Sequence, residues 1–169
     1  MSASLSRLSN LLLTVAVGPG ILTHEYAHYA ACKLSGVAVY SRPALQPFDD
    51  SALLEHDRVE GFGADFAIAV APFLVNSLLA FGAFTLAGTL AGPARLLGVW
   101  LGFCFGFTAL PSATDTETLL STADSLPTGL RSVAYLVAYP VRTATVSVWA
   151  GGLVTFVWTM ALAGSATTV

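Results

Sequence analysis

The clearest chemistry in this chain belongs to His24, Glu25 and His28, within the run ILTHEYAHYAACKLSG over 21–36. They stand in the order H-E-x-x-H. On a helix, positions four apart lie on one side, one turn above the other. Two imidazoles so placed can share one zinc ion, and a glutamate beside them can act as base toward a water on that ion. The chain holds 3 histidines, and two of them are in this turn. Glu25 is also the first acidic residue of the chain, with none following until Asp49. A chance match would leave the histidines as hydrogen-bonded members of a packed interior. The concentration of scarce residues in one turn favours metal binding.

A catalytic zinc takes three protein ligands and keeps a fourth position open. Two ligands are therefore expected from His24 and His28, and a third from elsewhere. The candidates are Asp115, Glu117, His56, Asp65 and Cys32. Cys32 lies two turns from His24, far along the axis for a compact triad. His56 falls in a polar loop that reads as flexible. Asp65 opens an apolar segment and would serve equally as its cap. Asp115 follows Leu110-Pro111 at the end of another apolar segment, where it is either a ligand or an interfacial cap. We favour the ligand, because the topology derived below brings Asp115 to the depth of His28. Ala31 and Leu34 occupy the glycine and third-histidine positions of the soluble metzincin pattern, which excludes that class.

These residues need an unusual scaffold. The chain has 169 residues, 55% hydrophobic and 10% charged, with mean hydropathy +0.73. Soluble domains carry about 25% charged residues, so too little polar surface is present to cover a soluble fold. We expect an all-α, multi-pass protein of the cell membrane, a single domain over 1–169. A span needs about 20 apolar residues. Four crossings are expected, at about 8–34, 64–88, 96–110 and 143–164. Gly18-Pro19-Gly20 reads as a kink or break just before the motif, and Gly36 as a helix stop. Residues 129–139 read as an interfacial helix.

Between the first two crossings, Val37–Tyr40 reads as a short strand. A polar loop follows, containing Pro47, Asp49, Asp50, Glu55, His56, Asp57, Arg58 and Glu60. The strand either pairs with an unwound substrate by strand addition or packs as a simple turn. The N-terminal arginine and apolar run have the outline of a signal peptide. Cleavage there would truncate the helix that carries His24, so the segment is expected to be retained. Cys32 and Cys104 both lie in apolar segments and imply no disulfide framework. The net charge of −3 argues against nucleic acid as a partner.

Basic residues set the orientation. With four crossings, Arg7 and Arg95 fall on one side. Lys33, Arg42, Arg58, Arg131 and Arg142 fall on the other. The richer side, with residues 33–63 and 112–142, is expected in the cytoplasm. His24, His28 and Asp115 then share the cytoplasmic half of the bilayer, where ionisable groups are costly and functional. Arg142 reads as a snorkelling anchor.

The pattern resembles the site-two protease family of intramembrane zinc metalloproteases, in a small prokaryotic form. The resemblance covers roughly residues 8–125. His24, Glu25 and His28 match the family's H-E-x-x-H, and Asp115 matches its later aspartate ligand by position and order. The family has Asn-Pro-Asp-Gly or Leu-Asp-Gly around that aspartate, where this chain has Pro-Ser-Ala-Thr-Asp-Thr. It has Gly-Pro-x-x-Asn in its middle helix, where this chain has Ala71-Pro72 and then Asn76, one residue later. Asn76 would bind substrate peptide, hold a loop near the zinc, or form a helix–helix hydrogen bond. The resemblance implies a zinc endopeptidase that cuts a transmembrane protein substrate near the cytoplasmic face, with Glu25 as general base. The alternative is a membrane zinc-binding protein without proteolysis, in assembly or metal handling. Spacing alone does not separate zinc from iron or cobalt, and the sequence carries no signal for oligomeric state.

Overall fold

The computed structural model describes residues 2–44 and 54–166. Among the described residues six helices run in order: α1 (Ser2–Leu34), α2 (Phe62–Thr89), α3 (Gly92–Phe107), α4 (Leu119–Asp124), α5 (Thr128–Val146) and α6 (Val148–Ala166). Two of them, Phe62–Thr89 and Trp149–Ala166, are long and apolar enough to cross a membrane. Gly92–Phe107 is apolar but shorter. The apolar residues of α2 and α6 are largely not consumed by packing. Leu78 is 73% exposed and Trp149 91%, so apolar side chains of both helices face outward.

The helices approach closely because small residues line their contacts. On α3, Gly98, Gly102 and Gly106 recur every four residues and form one face. A Cβ at Gly98 would lie 2.9 Å from the Ala87 Cβ, and one at Gly102 2.5 Å from the Phe84 ring. One at Gly106 would lie 2.6 Å from Thr159 on α6. α1 meets α3 more tightly still. A Cβ at Gly20 would lie 2.2 Å from the Cys104 carbonyl oxygen. Trp100 Nε1 donates to the Ala16 carbonyl at 2.9 Å on the same seam. α4 and α5 pack together, and α4 also touches α2.

Several expectations change. The Gly18-Pro19-Gly20 run does not break α1, which continues through Pro19 to Leu34. Proline removes one N–H, and the close seam with α3 supports the helix on both sides of that gap. Gly36 takes φ +73° just beyond α1, as a helix stop requires. The strand expected over 37–40 is a single antiparallel bridge between Val39 and His56. Two bonds flank it, Tyr40 N to Glu55 O at 2.9 Å and Asp57 N to Ala38 O at 3.0 Å. Among the described residues no third segment joins this pair, and two short segments alone are marginal as a sheet. Pro47, Asp49 and Asp50 of the polar loop lie outside the described residues. The last helix long and apolar enough to cross begins at about 149 rather than 143, because Ser147 is extended (φ −95°, ψ 119°) and separates α5 from α6.

Candidate metal centre

The helical phase of α1 sets His24 and His28 one turn apart, with ring centroids 4.8 Å apart. Each ring is then fixed by a backbone carbonyl from another helix. His24 Nδ1 lies 2.7 Å from the Thr108 carbonyl oxygen. Thr108 is the residue after α3, where the last carbonyls of a helix have no intrahelical donor. His28 Nδ1 lies 2.9 Å from the Ile68 carbonyl oxygen on α2. That carbonyl is four residues before Pro72, the position whose helical partner would be the missing proline N–H. A carbonyl only accepts, so each Nδ1 carries a proton, and in the neutral ring each Nε2 presents a lone pair.

The two Nε2 atoms face each other at 3.1 Å. Asp115 Oδ2 lies 3.4 Å from each of them. His24, His28 and Asp115 are the group among the described residues that could hold a metal ion. Three acceptors converging at this distance repel one another unless a cation or a proton lies between them.

Asp115 reaches the histidines from the loop between α3 and α4. Ser112 N–H donates to Asp115 Oδ2 at 2.6 Å, and Asp115 N–H donates to Ser112 Oγ at 3.2 Å. Arg142 of α5 donates to the Ala113 carbonyl and, at 3.1 Å, to Thr116 Oγ1. Its guanidinium therefore braces the loop as well as sitting near the end of an apolar helix.

A cleft of about 270 Å³ opens on the group. Glu25, His28, Asp115, His56, Asp65 and Glu117 are among its walls. Glu25 is bridged to the loop after 53 by the Leu54 N–H, 3.4 Å from its Oε2. The third histidine of the chain, His56, thus faces the same cleft as His28. Its Nδ1 lies 2.7 Å from the Asp57 carbonyl oxygen, and the bridge to Val39 anchors its backbone. Sequence spacing gave no sign of this, because loop 54–60 returns to α1 only through tertiary contacts.

Asp65 is not a helix cap. Its two oxygens accept from Thr118 Oγ1 at 2.8 Å and Thr122 Oγ1 at 2.7 Å, tying α4 to α2. Asn76 is fully buried and does not line the cleft. Its Nδ2 lies 3.0 Å from the Gly20 carbonyl, 3.1 Å from the Thr108 carbonyl and 3.0 Å from Thr108 Oγ1. Thr108, which joins Asn76 to His24, carries no sequence signal for this role. Cys32 is buried in a cluster with Val59 and Ile68, apart from the metal-binding group. No protein-family model matches the chain, and no curated protein or solved structure matches it.

Proposed function

We propose that this chain is a zinc-dependent intramembrane endopeptidase, resembling site-two proteases, which cleaves transmembrane protein substrates near the cytoplasmic face. The observation that carries the reading is the convergence of the two Nε2 atoms and Asp115 Oδ2 at 3.1–3.4 Å. Tetrahedral ligands bonded at about 2.0–2.1 Å stand about 3.3 Å apart, so the donor set fits zinc without rearrangement. Two imidazoles and one carboxylate also leave a fourth position open, the arrangement of catalytic rather than structural zinc. When bound, the ion would supply Lewis acidity toward a water and a peptide carbonyl.

The chain's own residues supply the rest. Glu25 lies beside the two histidines but outside the ligand set, on the wall of the cleft. It takes a proton from the attacking water and returns it to the leaving amine. The cleft admits water to a site that α1 places beside apolar helices. A substrate helix hides its amides in hydrogen bonds and must unwind to reach it. The multi-pass arrangement rests on the two apolar helices and their outward apolar surface. The basic residues of 33–63 and 112–142 support placing those segments in the cytoplasm.

The test is zinc content and cleavage of a synthetic transmembrane helix by the purified protein in lipid vesicles. The expected result is one zinc per chain and cleavage. Glu25→Gln should keep the zinc and lose about 10²–10⁴-fold in rate. Unchanged cleavage by Glu25→Gln would end the protease reading. Zinc retained without cleavage by the wild-type chain would favour the metal-handling alternative.

A further inference from the structure

The two metal-binding histidines are oriented by two carbonyls without an intrahelical donor, that of Ile68 inside α2 and that of Thr108 just past α3. We propose that Pro72 and Asn76, one turn apart on α2, are the positioning residues of the metal centre, each making one backbone carbonyl available to one histidine. The proposal rests on the metal-site reading above and concerns how that site is held.

Pro72 acts by what it lacks. In an unbroken helix the N–H of residue 72 would bond to the carbonyl of residue 68. Proline has no N–H, so the Ile68 carbonyl is free, and His28 Nδ1 takes it at 2.9 Å. Asn76 acts by what it donates. Its Nδ2 reaches the Gly20 carbonyl on α1 and both oxygens of Thr108 just past α3. It therefore fastens the end of α3 to the helix that carries His24. The Thr108 carbonyl so held accepts from His24 Nδ1 at 2.7 Å. The amide cannot be reversed, because its Oδ1 would then face two carbonyl oxygens.

The consequence is a fixed tautomer on both rings. Partners on the far nitrogen of a metal-binding histidine set ring orientation and basicity, and their loss weakens metal affinity about 10–100-fold. Positions 72 and 76 share one face of α2, so a single helix serves both histidines.

The test uses the full chain in detergent, with zinc affinity read by competition against a chelator and histidine tautomers read by ¹⁵N NMR on the metal-free protein. The wild-type chain should show Nδ1-protonated rings for His24 and His28. Pro72→Ala removes two buried ring carbons, favours the helix and adds an N–H that competes for the Ile68 carbonyl. It should free the His28 tautomer and weaken zinc about 10–100-fold, with helix content unchanged. Asn76→Leu should do the same at His24. If Asn76→Leu does not fold, Pro72→Ala and the wild-type tautomers decide the matter. A wild-type chain that binds zinc, together with a Pro72→Ala chain within threefold of it and an unaltered tautomer, overturns the positioning role and leaves the metal site standing. Wild-type rings that carry no proton on Nδ1 overturn it as well. A wild-type chain that binds no zinc overturns the metal reading itself.

Discussion

Gly20→Ala probes the seam that joins α1 to the end of α3. The new Cβ would lie 2.2 Å from the Cys104 carbonyl oxygen, 2.3 Å from Thr108 Oγ1 and 2.7 Å from the Cys104 carbonyl carbon. The threonine hydroxyl can turn aside, but the Cys104 backbone cannot. Restoring ordinary contact requires the helices to part by about 1 Å. Overpacking of this kind costs about 1–3 kcal/mol, and this case belongs at the upper end because the obstacle is backbone. Alanine recovers about 1 kcal/mol of helix propensity over glycine. A net loss of about 1–2 kcal/mol follows. The same displacement carries the Thr108 carbonyl away from His24. Their 2.7 Å bond would lengthen to about 3.7 Å, beyond any hydrogen bond, and zinc affinity should fall about 10–100-fold. The assay is chelator competition, with thermal unfolding in the same detergent. Gly82→Ala is the control, since a Cβ there meets nothing within 4 Å. It should bind zinc as the wild type does. If Gly20→Ala matches the wild type in both zinc affinity and melting, the seam does not position His24 and the reasoning is wrong.

Other perturbations separate the roles of the remaining residues. His24→Ala should strip the metal, and elemental analysis showing a full equivalent of zinc would contradict the assignment. Asp65→Ala leaves Thr118 and Thr122 without their carboxylate, so α4 should detach at a cost of about 1–3 kcal/mol, read by chemical denaturation. Arg142→Met removes the brace on the Asp115 loop. Zinc affinity should fall several-fold with helix content unchanged, and an unaltered affinity would show that the loop holds itself. For topology, single cysteines at Ser2 and Ser121 should label from opposite sides of the membrane, with Ser121 cytoplasmic. Cys32 and Cys104 are buried and should contribute little background.

Local pattern was sufficient for His24 and His28, because helical phase alone puts residues four apart on one side. Composition was sufficient for the helical class, since so few charged residues leave little else to build. The stop at Gly36 is equally local, a left-handed position where glycine has no Cβ penalty. Pro72 could be seen to free the Ile68 carbonyl, because that loss is written in the covalent structure of proline. What takes that carbonyl could not be seen, because His28 is 40 residues away along the chain. Thr108 is invisible for the same reason. Its value lies in a helix end meeting a distant ring, not in its side-chain type. Asp115 was selected on an assumed depth, and only the packing of α1 against α2 and α3 brings its oxygen to 3.4 Å from both imidazoles. His56 was set aside as flexible because its anchor, Val39, is bonded across a loop. Local geometry decides which groups can act, whereas their meeting depends on contacts between distant segments that no periodicity encodes.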